Sequence, residues 1–311
     1  MSKLILLLFT FILSFRVFSL VDYTEEESSF RPPENSARKI VKKKRPSHTS
    51  KIQNKSSGSS GAFNLSTRYR SHEVSTKEVD GKVDMLEISG HFETSVNLFA
   101  DFKYSALSTE DDGISKSSTY ELGNPVGKLG FHWFRAGSSE EEVLFDMYAG
   151  VSKGVDSLIA TSRTDQIYGV ETSKKFYMVA FGLGYEMIVS GKTKSDEELE
   201  IGNIHKGSLA IGAQLTPDIQ FMFEAGSVKI REATPDMNGK ISAEKGLSKD
   251  VSYSYLNPSL KLGIKSSLSI TLGAVFRTNR IKNRPELLRA RLYNLPAAYG
   301  PTLYTGMNFS L

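Results

Sequence analysis

The chain is expected to be all-β: an antiparallel transmembrane β-barrel of about 12 strands with a disordered N-terminal arm. Three observations carry that expectation. Beyond residue 62, apolar residues recur at every second position, which sorts them onto one face of a strand and would scatter them around a helix. These stretches commonly run to about 10 to 14 residues, against the five or six usual in soluble sheets. The opposite face is small or charged, and the connections mostly alternate short and long, as in a barrel with short periplasmic turns and longer outer loops.

Residues 1–19 are expected to be a signal peptide. Lys3 gives a positive start, and Leu4 to Phe15 is apolar apart from Thr10 and Ser14. A run of about 12 apolar residues is too short to span a bilayer, which needs about 20. Val17-Phe18-Ser19 offers a cleavage region, with Arg16 blurring the cut by a few residues.

Residues 20–61 form the expected disordered arm. It starts acidic with Glu25, Glu26, Glu27 and Glu34, then turns basic through Arg38, Lys39, Lys42, Lys43, Lys44, Arg45, Lys51 and Lys55. Too few apolar groups are present to offset the entropy of ordering it. It reads as a solvated tether, or as a periplasmic arm meeting cell-wall carboxylates or anionic lipid headgroups. The net charge of +4 is too small to argue for nucleic acid.

Residues 62–311 are the expected barrel. Eighteen phenylalanines, 13 tyrosines and 25 glycines fit a β-rich chain, and there is no cysteine. The clearest strand is Tyr177-Val179-Phe181-Leu183-Tyr185-Met187-Val189, opposed by Ala180, Gly182, Gly184 and Glu186. Similar sorting sets Leu98, Phe102 and Tyr104 against Asp101 and Lys103, Phe145 and Met147 against Asp146, and Ile270 and Leu272 against Thr271 and Gly273. Counted this way, strands fall near 62–71, 84–92, 96–107, 118–135, 142–153, 157–170, 175–190, 206–215, 218–231, 251–264, 267–280 and 298–311. Short turns are expected near 93–95, 137–140, 171–174, 216–217 and 265–266. Long loops are expected near 72–83, 108–117, 191–205, 232–250 and 281–297, with a short outer connection near Gly154. Asn124-Pro125 implies a bulge or break in the fourth strand, and the sixth alternates poorly. Ten or fourteen strands would satisfy the same even-number rule.

The last eight residues, Tyr304-Thr305-Gly306-Met307-Asn308-Phe309-Ser310-Leu311, carry a resemblance. The spacing of Tyr304, Gly306, Phe309 and Leu311 resembles the C-terminal insertion signal of Gram-negative outer-membrane β-barrels, although that family usually ends in Phe or Trp. The resemblance implies an outer-membrane location and a partner in the barrel-assembly machinery, with outer-membrane lipid and lipopolysaccharide around the barrel.

Function is less legible. The expected lumen charges are Arg68, Arg70, Glu87, Asp101, Lys103, Asp146, Glu186, Glu224, Lys261 and Arg277, with His91 and His132 near the periplasmic end. They read either as a paired network that fills the barrel or as the lining of a hydrated pore. Mixed signs imply weak ionic selectivity. A small porin-like passive channel is the leading expectation, and a non-conducting structural or surface-interaction barrel is the alternative. A membrane-embedded hydrolase is a minor one, since no Gly-x-Ser-x-Gly elbow appears; the chain is not expected to be an enzyme. No metal site or cofactor is expected: the carboxylates at 110–112 and 196–200 lack the full spacing of a calcium loop. Arg280, Lys282, Arg284, Arg289 and Arg291 crowd the last outer loop, where Glu286 to Tyr293 could form a short helix. They suit lipopolysaccharide phosphate, with solvation or an inward fold that narrows the pore as alternatives.

Overall fold

A computed structural model describes residues 62–75, 80–109, 120–138, 141–233, 246–278 and 285–310. The expected signal peptide and arm lie outside these residues. The strands are β1 (Ala62–Ser75), β2 (Asp80–Glu93), β3 (Leu98–Thr109), β4 (Glu121–Leu122), β5 (Val126–Ser138), β6 (Glu141–Ser152) and β7 (Asp165–Phe176). They continue with β8 (Val179–Val189), β9 (Ile204–Thr216), β10 (Ile219–Ile230), β11 (Val251–Lys265), β12 (Leu268–Arg277) and β13 (Thr302–Ser310). Each long strand pairs antiparallel with its neighbours, β2 pairs β3, and β13 returns to pair β1 from Asn64↔Ser310 to His72↔Thr302. The ring is therefore closed and has no free edge. β4 and β5 both pair β3 and act as one interrupted strand, so the barrel has twelve walls.

The interruption is Gly123-Asn124-Pro125. Proline cannot donate to a ladder, and buried Asn124 replaces the missing pairing with side-chain bonds. Its Nδ2 donates to Lys153 O at 2.9 Å and Thr161 O at 2.7 Å, and its Oδ1 accepts from Thr161 N at 3.1 Å. A second irregularity at Trp133 lets Phe131, Trp133 and Phe134 all sit outside.

Alternation divides every wall. Phe102, Tyr104, Phe181, Leu183, Tyr185, Phe221, Leu272 and Met307 are exposed on the outside, as lipid-facing residues should be. Exposed Phe92, Trp133, Phe134 and Tyr177 lie at the short-turn end and exposed Tyr104, Tyr168 and Tyr185 higher up the wall, so aromatics flank the aliphatic band. Several inward aromatics lie across a glycine. A Cβ on Gly169 would come within 2.1 Å of the Tyr148 ring, and one on Gly273 within 2.3 Å of the Tyr304 ring. Only a hydrogen there lets the ring lie flat against the wall.

Several connections differ from the sequence-based expectation. Residues 171–174 are strand rather than turn. Glu171 and Ser173 face the lumen, and Lys174 lays its ammonium 3.9 Å from the centre of the Phe176 ring, so this polar run stays in the sheet. The turn is Tyr177-Met178, where Tyr177 takes φ 49°. Residues 157–164 are loop rather than strand, so the outer connection near Gly154 runs from 153 to 164 and is not short. Its polar side chains bond β4 and another loop: Ser157 Oγ donates to Glu121 Oε2 at 2.5 Å, and Ser162 Oγ to Glu198 Oε2 at 2.7 Å. β1 and β2 reach Ser75 and Asp80, so the expected loop at 72–83 is mostly strand; Val74 and Val83 face an apolar interior there.

That apolar interior is the core of the molecule. Val74, Val83, Met85, Leu107, Ile204, Val228, Ile230, Tyr253 and Val275 line the outer part of the lumen, and all are buried. They close on Leu287, Ala290, Leu292, Tyr293, Leu295, Ala297, Ala298 and Tyr299 of the last outer loop, with Ile159, Ala160, Leu199 and Ile201 from two others. Each fully buried Val, Leu, Ile or Met side chain among them contributes about 1.5–3 kcal/mol, so the loop is held inside the mouth by burial. The expected short helix is a single 3-10 segment, Pro285–Ala290.

Candidate functional site

The lumen is layered by height. Below the apolar core lies a belt of charges, each brought inward by the parity of its strand. On β1 to β3, Glu87 is enclosed by three cations. Lys103 Nζ lies 2.5 Å from its carboxylate, Arg70 Nη2 3.2 Å and Arg68 Nη1 4.0 Å. Across the barrel, Lys128 Nζ meets Glu186 at 2.6 Å, and the Tyr148 hydroxyl donates to Glu186 at 2.9 Å and Glu171 at 3.2 Å. Glu224 accepts from the Tyr255 hydroxyl at 2.6 Å and from Asn257 Nδ2 at 3.1 Å. Tyr304 then donates to Asn257 Oδ1 at 2.9 Å.

Nearer the short-turn end, His91 Nδ1 lies 2.7 Å from Asp101, and His132 Nδ1 lies 2.7 Å from Asp146. His132 Nε2 is also 3.3 Å from Glu93. The Phe99 ring sits between the two imidazoles, at 5.7 Å and 5.2 Å from their centres. Lys261 is inward too, beside Gln220, Ser269 and Asn308. Arg277 belongs instead to the core above. Its guanidinium donates to Ala297 O and Ala298 O and lies over the Tyr253 ring.

Sequence parity could place these charges inside but could not assign partners. Partners depend on how far each strand is shifted against the next, and that shift leaves no mark on one strand read alone. It also missed Lys128, Glu171 and Lys206, whose inward parity was legible. Their partners come from neighbouring strands, as Glu186 of β8 does for Lys128 of β5.

The walls between the charges are thin. β8 and β9 present Ala180, Gly182, Gly184, Ser208, Ala210 and Gly212 inward. A cavity of about 300 Å³ lies against β1, β2, β3 and β5, lined by Ser66, Arg68, Glu87, Asp101, Lys103, Lys128 and Asn308 among others.

A buried ion-pair cluster ties the mouth together. Arg163 Nε lies 3.1 Å from Asp165 Oδ1, its Nη1 lies 3.4 Å from Glu198 Oε1, and the same Nη1 donates to Ala290 O at 3.1 Å. Glu198 also accepts from Ser162 N, Ser162 Oγ and Thr161 Oγ1. Among the basic residues expected to meet lipopolysaccharide, Arg280, Lys282 and Arg284 lie outside the described residues. Arg289 Nε donates to Glu197 O at 3.0 Å, and Arg291 Nη1 donates to Ser157 O at 2.6 Å and Ala160 O at 3.1 Å. These two arginines thus staple loop to loop. The Tyr299 hydroxyl accepts from Leu292 N and donates to Leu287 O, and burial holds the phenol well above its ordinary pKa, so it stays neutral.

In the expected insertion signal, Tyr304 and Gly306 face inward, opposite Arg70 and Arg68, and Phe309 faces outward opposite Leu65. Leu311 lies outside the described residues.

No family model matches the chain, and no curated protein matches it in sequence. Solved structures do match in fold. An outer membrane channel from Pseudomonas putida superposes with a TM-score of 0.55 at 10% identity, over 81% of this chain and 96% of its own. A NanC porin gives 0.46 at 11% identity, over 80% and 100%. Outer membrane phospholipase A from Escherichia coli gives 0.40 at 12% identity, over 80% and 89%. At these identities the likeness is one of fold.

Proposed function

We propose that this Gram-negative outer-membrane β-barrel is a passive channel for small solutes or ions, held narrow at its outer mouth by its own loops. The observation that supports this is the polar cavity of about 300 Å³ beside β1, β2, β3 and β5, lined by Ser66, Arg68, Lys103, Lys128 and Asn308 among others. A barrel built only for rigidity would gain dispersion contacts from bulky inward side chains. A polar space of that size instead has room for water. The fold likeness to the Pseudomonas putida channel is in keeping with this reading. No hydrolysis is proposed. His91 and His132 each hold a carboxylate inside the lumen near the short-turn end, away from the lipid-facing wall where a lipase would meet its substrate.

The buried apolar core in the mouth favours a second reading, a non-conducting barrel that serves as a wall or a surface anchor. Planar bilayers separate the two. Refolded wild-type protein should give stepwise conductance, and a variant lacking residues 285–299 should give larger steps. No steps in either protein would remove the channel reading and leave the second.

A further inference from the structure

We infer that the lumen wall formed by β1, β2, β3 and β5 is a binding station for small oxyanions, carboxylates or phosphates, with Arg68, Lys103 and Lys128 as the receiving groups. This deepens the channel reading by naming a solute class, and it rests on that reading only for how the solute arrives.

Counting charges hides this preference, because the inward charges of both signs are close to balanced. Exposure reveals it. The carboxylate of Glu87 is 4% exposed, whereas the Arg68 and Lys103 side chains that cover it are 31% and 25% exposed. Glu186 is 13% exposed and its partner Lys128 is 24% exposed. Glu87 borders the cavity too, but it is almost covered, and the cations around it present far more of their surface to that space. A solute entering that space therefore meets ammonium and guanidinium groups first.

Arg68 is the best placed. Its nearest carboxylate oxygen is 4.0 Å away, too long for a hydrogen bond, so its planar fork keeps donors for a solute. The Tyr304 ring, 5.2 Å from the guanidinium carbon, supports the group from one side. Two exposed carboxylates oppose the preference: Glu171, which shares the Tyr148 hydroxyl with Glu186 beside Lys128 but does not line this cavity, and Asp101. Asp101 is 37% exposed and lines the same cavity, but His91 holds it, and it sits two residues from Lys103 toward the short-turn end, about 7 Å along the strand. Asp101 therefore bounds the station from below.

Two measurements on the full-length refolded barrel test this. Reversal potentials across a potassium chloride gradient should show chloride preferred by about threefold or more, the change in local concentration that one kT of potential produces. Arg68→Gln should lower that preference and Asp101→Asn should raise it. Separately, inorganic phosphate and citrate should each raise the unfolding temperature of the detergent-solubilised barrel, and Arg68→Gln should abolish the shift. A response to one anion alone would name the headgroup; a response to neither would overturn the station. Cation preference in the wild type, or no movement in either variant, would also overturn it and leave the channel standing. Binding without conductance would keep the station and remove the channel.

Discussion

At the scale of single residues, parity decides what each side chain meets. Leu183 is exposed on the outer wall and Gly184 points inward toward Ser208 and Glu171. This was legible in the sequence, because a one-residue slip would turn every side chain of β8 to the wrong face. An arginine at the bilayer midplane costs about 2–4 kcal/mol on the lipid side. Leu183→Arg should therefore destabilise the refolded barrel by that order in urea titrations, with Gly184→Arg hurting less. Single cysteines give a cleaner test. A cysteine at 183 should be quenched by lipid-borne probes and resist water-soluble thiol reagents, and one at 184 should do the reverse. Equal labelling of both from water would contradict the membrane orientation of β8. The contact between Tyr148 and Gly169 was not legible, since it joins two strands whose relative shift no local pattern reveals.

At the scale of elements, the sequence was readable where side chains alternate and misleading where polar residues have tertiary partners. Residues 171–174 look like a turn because they are polar, yet a charged lumen and the Phe176 ring accommodate them in a strand. Residues 157–164 look like a poor strand because Ser157, Thr161, Ser162 and Arg163 serve as loop ties. These ties yield a prediction about the mouth. Glu198 carries four of them and is almost fully buried, and a hydrogen bond to a charged group typically contributes about 1.5–3 kcal/mol. Arg163 keeps Asp165 in Glu198→Ala, so the charge is not left alone. The variant should keep a heat-modifiable barrel while trypsin cuts at Arg163, Lys192 or Lys194 far faster than in the wild type. Cleavage unchanged from the wild type would show that Glu198 does not hold the loops.

At the scale of the molecule, closure and strand number were accessible because alternation and connection rhythm add up along the chain. The division of the lumen by height was not. Val74, Val83, Met85, Val228 and Val275 have inward parity, but an inward apolar residue makes sense only beside the loop that covers it. The apolar run from Leu287 to Tyr299 was the missing signal. A mouth sealed by apolar burial also has a thermal signature unlike that of a rigid aqueous pore. Ion flow through a fixed opening rises steadily with warming as water thins. Cooling weakens apolar association and heating rewards chain disorder, so a seal of this kind is tightest at an intermediate temperature, about 10–20 °C by analogy with whole domains. Open probability in single-channel records should then pass through a minimum in that range and climb on both sides. A monotonic dependence would indicate that the loop stays seated while solutes pass beside it.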